Sequence, residues 1–186
     1  PAVCVTCHNP NATDFRQRGV GGSDCAVDLG DDDSPIDMKY MIHAIHASGE
    51  VGVPYEACGF GNSSHVYDFQ YPGHLNNCEG CHVKDEDTFY PVAAGTILGT
   101  TIDVGADPAD PSDDVAISPN TAVCSTCHVS DLARQHMLQQ GGDFEAGKAA
   151  DSSLISSGVE TCALCHGPGG SSDVKEVHGV DGFDFN

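Results

Sequence analysis

Two cysteines separated by two residues and followed directly by a histidine occur four times in this chain. Two thiols at this spacing form thioethers to the two vinyl groups of one porphyrin, and the adjoining histidine reaches its iron. The pattern therefore predicts four covalently bound c-type haems. The predicted attachment residues are Cys4 and Cys7, Cys78 and Cys81, Cys124 and Cys127, and Cys162 and Cys165, with His8, His82, His128 and His166 as proximal ligands.

Zinc is the alternative for this pattern, because C-x-x-C pairs also build zinc sites from four cysteines or from three cysteines and one histidine. Zinc does not need a histidine directly after the second cysteine of every pair. The four motifs use eight of the ten cysteines, and each motif has its histidine. Haem is therefore the interpretation that explains both residue types.

Six further histidines lie outside the motifs and are candidates for the sixth ligand of each iron. Four irons with two histidine ligands each need four of them. Those on predicted helices are the predicted distal ligands, namely His43, His46, His136 and His178. Those in predicted loops are interpreted as surface groups or as donors to haem propionates, namely His65 and His74.

The helix that carries His43 and His46 is the clearest in the sequence. Ser34 is a favourable N-cap followed by a proline, so the pattern predicts a helix over residues 34–48 that ends at Gly49. Residues three apart on a helix share one face. The two histidines are therefore predicted to ligate two different haems, with a bystander role for one of them as the alternative.

Shorter elements are predicted around the other motifs. Three helices are expected: one entering the third motif from Asn120, one over Asp131 to Gln140 after Ser130, and one over Asp173 to His178. Short strands are predicted within residues 50–77, at Thr96-Ile97-Leu98 and at Thr101-Ile102. The predicted fold class is a multihaem cytochrome c, loop-rich with a few short α-helices wrapped around covalent haems and little β structure.

The composition favours the haems, not the side chains, as the core. Of the 186 residues 39% are hydrophobic and 6% aromatic, and tryptophan is absent. Such a chain buries little apolar surface of its own. We expect one tetrahaem domain over residues 1–186.

The two cysteines outside the motifs are Cys25 and Cys58. Covalent attachment of c-type haem takes place outside the bacterial cytoplasmic membrane, so we expect an exported protein. An even pair of cysteines in an exported protein predicts a disulfide. Two free buried thiols are the alternative.

The net charge of −21, from 28 acidic and 7 basic residues, excludes nucleic acid as a partner. An anionic membrane surface is excluded for the same reason. No apolar run long enough for a transmembrane segment is present, and no leader or lipid-anchor cysteine is recognisable. We expect a processed chain or a fragment.

Two acidic stretches have the oxygen ligands that calcium prefers. The first is Asp31-Asp32-Asp33, and the second contains Asp103, Asp107, Asp110, Asp113 and Asp114. Neither stretch matches a twelve-residue EF-hand loop. Solvated surface charge is the interpretation, with calcium binding as the alternative.

The order of these features resembles the outer-membrane decahaem cytochromes of the OmcA/MtrC type. The resemblance rests on the first motif followed by Asn9-Pro10, on Met41 to His46, on Tyr71-Pro72-Gly73 before the second motif, on Gln135-His136-Met137 and on Val177-His178-Gly179. It covers nearly the whole chain and corresponds to one pentahaem half without its first haem. It implies bis-histidine haems, with the positions matching His43, His46, His136 and His178 as distal ligands.

The resemblance also implies a cell-surface location, with the periplasm as the alternative, and electron delivery to extracellular acceptors such as metal oxides. Other cytochromes or like subunits are the expected partners. Three functions follow as hypotheses: a surface electron carrier, a subunit of a conductive filament, and a reductase of a nitrite-like small molecule. A reductase needs an open iron site, and the distal candidates outnumber the irons. We therefore expect an electron carrier and not an enzyme.

Overall fold

The computed structural model describes residues 3–18, 25, 33–61, 63–82, 90–91, 97–104, 110, 112–147 and 159–180. Helices within these ranges are α1 (Phe15–Arg18), α2 (Met38–Val51), α3 (Pro119–Cys124), α4 (Asp131–Gln139), α5 (Ala163–His166) and α6 (Val174–His178). The strands are β1 (Tyr55–Cys58), β2 (Ser64–Tyr67), β3 (Thr100–Ile102), β4 (Val115–Ile117) and β5 (Ala146–Gly147). Short helices and little β structure are confirmed for this part of the chain.

Helix α2 begins at Met38, with Asp37 as its N-cap, so the prediction that Ser34 caps it is wrong. The residues before the helix are held by the loop that follows the first motif. Pro35 forms a β-bridge with Thr13, and the Ile36 amide donates to the Ala12 carbonyl. The chain at 34–36 is therefore extended and cannot form the first helical turn.

The end of α2 also differs from the prediction. Gly49 lies inside the helix, and a Cβ at this position would lie 2.5 Å from the Phe69 carbonyl oxygen. Gly52 ends the helix instead, in a left-handed conformation with φ of 67°. Gly49 is thus needed for close packing of α2 against residues 69–70, and Gly52 for termination.

A buried carboxylate fixes the start of this region. The Asp14 side chain is fully buried; Oδ1 accepts from Arg18 Nε at 2.9 Å and from the Ser34 amide at 2.7 Å, and Oδ2 accepts from the Cys58 amide at 2.7 Å. The predicted disulfide between Cys25 and Cys58 is confirmed. It ends on β1, which pairs antiparallel with β2 in a hairpin.

The second half contains a three-stranded antiparallel sheet in the order β3-β4-β5. Strand β3 includes the predicted Thr101-Ile102. The other predicted strand is wrong for Ile97 and Leu98, which lie in no strand, and Thr96 lies outside the described residues. Helix α4 matches its prediction to within one residue, and the Ser130 side chain caps it by accepting from the Ala133 amide. Helix α6 begins one residue late, and α3 is capped at Ser118 and not at Asn120.

The buried interior of the described residues consists mostly of small side chains, both apolar and polar. The largest fully buried side chains are Thr100, Thr121, Asp14, Cys25 and Ser48, whereas Leu132 and Leu164 are about four-fifths exposed. No helix within the described ranges has the length and hydrophobicity to span a bilayer. The polypeptide itself therefore has no large apolar core within these residues. Bound haems would supply the apolar surface that the side chains do not. That the chain wraps around haems stays a prediction.

Candidate functional site

Each motif folds as one tight helical turn. The amide of the motif histidine donates to the carbonyl of the first cysteine in all four, at 2.9 Å for His8, 2.8 Å for His82, 2.9 Å for His128 and 2.9 Å for His166. All eight motif cysteines are free and lie at least partly at the surface. Thiols three residues apart in such a turn lie on one side of the chain, as attachment to one porphyrin requires.

Three motif histidines face a histidine from elsewhere in the chain. His82 faces His43, His128 faces His178, and His166 faces His136. The ring centroids are 6.1 Å apart in every pair, although the angles between ring planes are 35°, 72° and 76°. The distance is constant while the orientation varies, which indicates a common object between the rings and not ring stacking.

A single metal ion with two opposite imidazole ligands fits this spacing. A metal–imidazole bond is about 2 Å and the ring centre lies about 1 Å behind its nitrogen, so opposite ligands have centroids roughly 6 Å apart. Two imidazoles on a tetrahedral ion would have centroids only about 5 Å apart. The pairs therefore match the axial ligands of a haem iron and fit zinc less well. Within the described ranges, no group of three or more His, Cys, Asp or Glu residues has metal-site geometry.

Hydrogen bonds orient several of these rings. The Nδ1 atoms of His43 and His178 lie 2.5 Å and 2.8 Å from the carbonyl oxygens one turn earlier, those of Lys39 and Val174. His166 Nδ1 lies 3.0 Å from the Ser172 carbonyl oxygen. Donation from Nδ1 leaves Nε2 as the free nitrogen for a metal.

The first motif is oriented in the same way. His8 Nδ1 lies 2.8 Å from the Ile36 carbonyl oxygen, and the His8 carbonyl accepts from the Met38 amide. No histidine of the described residues faces the His8 ring. His46 also faces no motif histidine there; its ring packs edge-on against Tyr71, with centroids 4.6 Å apart. His43 thus faces a motif histidine and His46 does not. That the two α2 histidines ligate two different haems stays a prediction.

The two remaining histidines are exposed. The prediction that both lie in loops is wrong for His65, which lies in strand β2 opposite Ala57. His65 Nε2 lies 3.1 Å from the Ser63 hydroxyl, and its ring stacks on Tyr67. His74 lies just before the second motif, where its carbonyl accepts from the Asn77 amide. Their interpretation as surface groups or propionate donors stays a prediction.

The second, third and fourth motifs are neighbours in space. Burial raises the pKa of the Cys78 thiol, and the nearby Cys127 adds to the shift. Burial raises the pKa of Cys124 to about 12, with Cys162 as the next cause. Burial lowers the pKa of His128, and His178 and then His166 contribute. The second motif therefore lies near the third, and the third lies near the fourth.

Glu160 joins the third motif to the fourth. It lies two residues before Cys162, and its carboxylate accepts five hydrogen bonds, each 2.8 Å long, at the start of α3. The donors are the Ser118 hydroxyl, the Asn120 amide and side chain, and the Thr121 amide and hydroxyl. Burial acts to raise the pKa of Glu160, but these bonds outweigh it and the pKa is lowered. No sequence pattern marked this residue.

A groove of about 650 Å³ opens beside His128. Its walls are mostly apolar and include Tyr40, Val115, Ile117 and Phe144. Arg134 also lines the groove, with its guanidinium carbon 3.8 Å from the centre of the Phe144 ring. An apolar groove that contains a motif histidine suits a large flat hydrophobic ligand.

The acidic stretches meet at one point. Asp33 lies close enough to Asp103 to be affected by its charge, and burial together with Asp103 and Asp14 raises the pKa of Asp33 to about 7. Arg18 opposes this shift from 4.0 Å. Asp31, Asp32 and Asp107 lie outside the described residues. Calcium binding stays an alternative.

Comparison with known proteins gave one family. Residues 2–179 match the model described as outer membrane cytochrome MtrC/MtrF-like, domains II/IV. No curated protein matched the chain.

Proposed function

The chain belongs to the MtrC/MtrF-like outer membrane cytochromes, and on that basis we propose that it carries electrons outside the cell through four c-type haems. The three facing histidine pairs with a constant 6.1 Å separation carry this proposal. Each bound haem takes up and releases one electron at its iron. The protein holds the haems, fixes their ligands and sets their spacing.

The geometry supports a specific assignment of ligands. The haem held by Cys78 and Cys81 takes His82 and His43. The haem held by Cys124 and Cys127 takes His128 and His178. The haem held by Cys162 and Cys165 takes His166 and His136. Two imidazoles would leave no coordination site for a substrate on these three irons. With His46 proposed as a further distal ligand, we propose no catalytic role.

The neighbouring motifs support a path for electrons. Cys78 lies near Cys127, and Cys124 lies near Cys162, so the second, third and fourth haems form a continuous series. His8 and the thiols of Cys4 and Cys7 hold the first haem. His46 is the proposed distal ligand of a haem outside the three pairs.

A subunit of a conductive filament is the second candidate. It is favoured because neither His8, a motif histidine, nor His46, a distal candidate, faces another histidine within the described residues. At the other three sites a motif histidine faces a distal candidate. In a filament, His46 of one copy completes the first haem of the next copy. Electron microscopy of the native material separates a filament from a discrete carrier.

We place this carrier at the outer cell surface, with the periplasm as the alternative, and give it other cytochromes, like subunits or metal oxides as partners. Intact mass under denaturing conditions should show four haem additions, and electron paramagnetic resonance of the oxidised protein should show only low-spin iron. Fewer additions would contradict the haem count. A high-spin signal that moves on adding cyanide to the native assembly would show an open iron and support the reductase.

A further inference from the structure

Basic side chains are scarce in this protein, so the position of each one has a large effect on the local charge. The chain has 7 basic residues against 28 acidic ones. Arg18 is buried against Asp14, and Lys39 forms a contact with Asp37. Among the described residues that line the groove beside His128, Arg134 is the only lysine or arginine.

Arg134 is positioned by an aromatic ring. Its guanidinium carbon lies 3.8 Å from the centre of the Phe144 ring, a cation–π contact. Among the described residues its ion-pair partner is Glu145, at 3.9 Å, and the Glu145 side chain is 80% exposed. Exposed ion pairs at this distance contribute little to stability. The planar fork of donors is therefore ordered but unoccupied by the described residues.

We infer that Arg134 binds a carboxylate of the haem held in this groove and selectively raises the reduction potential of that haem. The inference rests on the proposed function. A guanidinium recognises a carboxylate through two parallel hydrogen bonds. Reduction adds one negative charge at the iron, and a nearby fixed positive charge favours the reduced form. An electron is then held more tightly at the third haem than it would be without Arg134.

The test compares Arg134→Gln with Arg16→Gln. Arg16 also lies over an aromatic ring, Phe15, at 5.6 Å, but it is exposed and does not line the groove. The two variants change the net charge equally. The holoprotein is poised with dithionite and redox mediators, and each low-spin signal is followed by paramagnetic resonance. His178→Met identifies the signal of the third haem.

We expect Arg134→Gln to lower the reduced-to-oxidised ratio of the third haem about three- to fivefold at fixed potential, the range for a half-exposed charge. That change is roughly 30 to 40 mV at 59 mV per tenfold for one electron. The difference should shrink at high salt, because a half-exposed charge is screened. Arg134→Lys should retain most of the potential while losing the two-bond recognition.

Three results overturn the inference: no change in the third haem, an equal change in all four, or the same change in Arg16→Gln. If Arg134→Gln fails to incorporate haem, Arg134→Lys and the salt dependence of the wild type decide the question. If the reduction potential of the third haem in the wild type does not change with salt concentration, the inference is contradicted. Absence of four low-spin signals in the wild type would instead contradict the proposed function.

Discussion

Replacing Glu160 by glutamine tests whether one carboxylate joins the third and fourth haem sites. Oε1 accepts from the Ser118 hydroxyl and from the Thr121 amide and hydroxyl, and Oε2 accepts from the amide and side chain of Asn120. A glutamine keeps one acceptor oxygen and turns an NH₂ group toward donors. At least two of the five bonds are lost, and their donors remain partly buried.

The magnitude follows from the charge of the acceptor. A hydrogen bond to a charged group contributes about 1.5–3 kcal/mol net, and bonds that share one acceptor are not additive. We expect Glu160→Gln to lower the free energy of unfolding by about 2–4 kcal/mol. The carboxylate at the start of α3 also interacts favourably with the helix dipole, which the amide does not.

Denaturant unfolding of the oxidised holoprotein, followed by circular dichroism, measures this loss. Glu145→Gln is the matched control, because Glu145 is exposed and its ion pair is long; its effect should stay below about 0.5 kcal/mol. The magnetic coupling between the third and fourth haems should also weaken in the Glu160 variant. Equal stabilities of the two variants, or an unchanged coupling, would refute the role of Glu160.

The pH dependence supplies a second readout of the same group. The pKa of Glu160 is lowered in the folded protein. Its contribution to stability is therefore present above the unfolded pKa and is lost as the pH falls through the folded value. Glu160→Gln should reduce the acid-side loss of stability relative to the wild type.

Three further predictions follow from individual contacts. His43→Met should change the resonance signal of the haem on the second motif alone, and His46→Met should leave that signal intact; the reverse pattern contradicts the pairing. Asp33 has a pKa raised from 3.8 to about 7, so the folded state holds its proton more tightly and stability should fall as the pH rises between these values. Asp33→Asn should remove the part of the decline in thermal stability that occurs between these pH values. An unchanged slope of melting temperature against pH would contradict this prediction. Replacing both Cys25 and Cys58 by serine removes a bridge with a sequence separation of 33 and should cost about 3–4 kcal/mol in denaturant unfolding; a loss under 1 kcal/mol would show that the bridge adds little.

Local patterns predicted the elements that local energetics determine. Ser130 caps α4 and Asp173 caps α6, because each side chain satisfies amides within its own helix. Ser34 failed as a cap, because its hydroxyl and amide are used by Arg18 and Asp14 from an earlier segment. The disulfide was predictable because only two cysteines remained outside the motifs.

The candidate site was likewise predictable from the sequence only in part. The motif residues His82, His128 and His166 were predictable from spacing alone. The partner of each was not, since the sequence ranked distal candidates without assigning them to motifs. His128 faces His178, whereas the nearer His136 faces His166. Such pairings depend on contacts between distant segments, as does the position of Glu160 at the start of α3.

On the proposed ligation, the last two haem sites are nested within one another. The pair His136–His166 lies wholly inside the interval between His128 and His178. Closing the inner site first shortens the free chain of the outer site from 50 to about 20 residues. Loop-closure entropy then favours the outer site by about 0.8 kcal/mol more than if it closed alone. Closure of the fourth site therefore makes closure of the third less costly. A chain cut after His166 should keep both histidines of the inner site and lose His178 from the outer one.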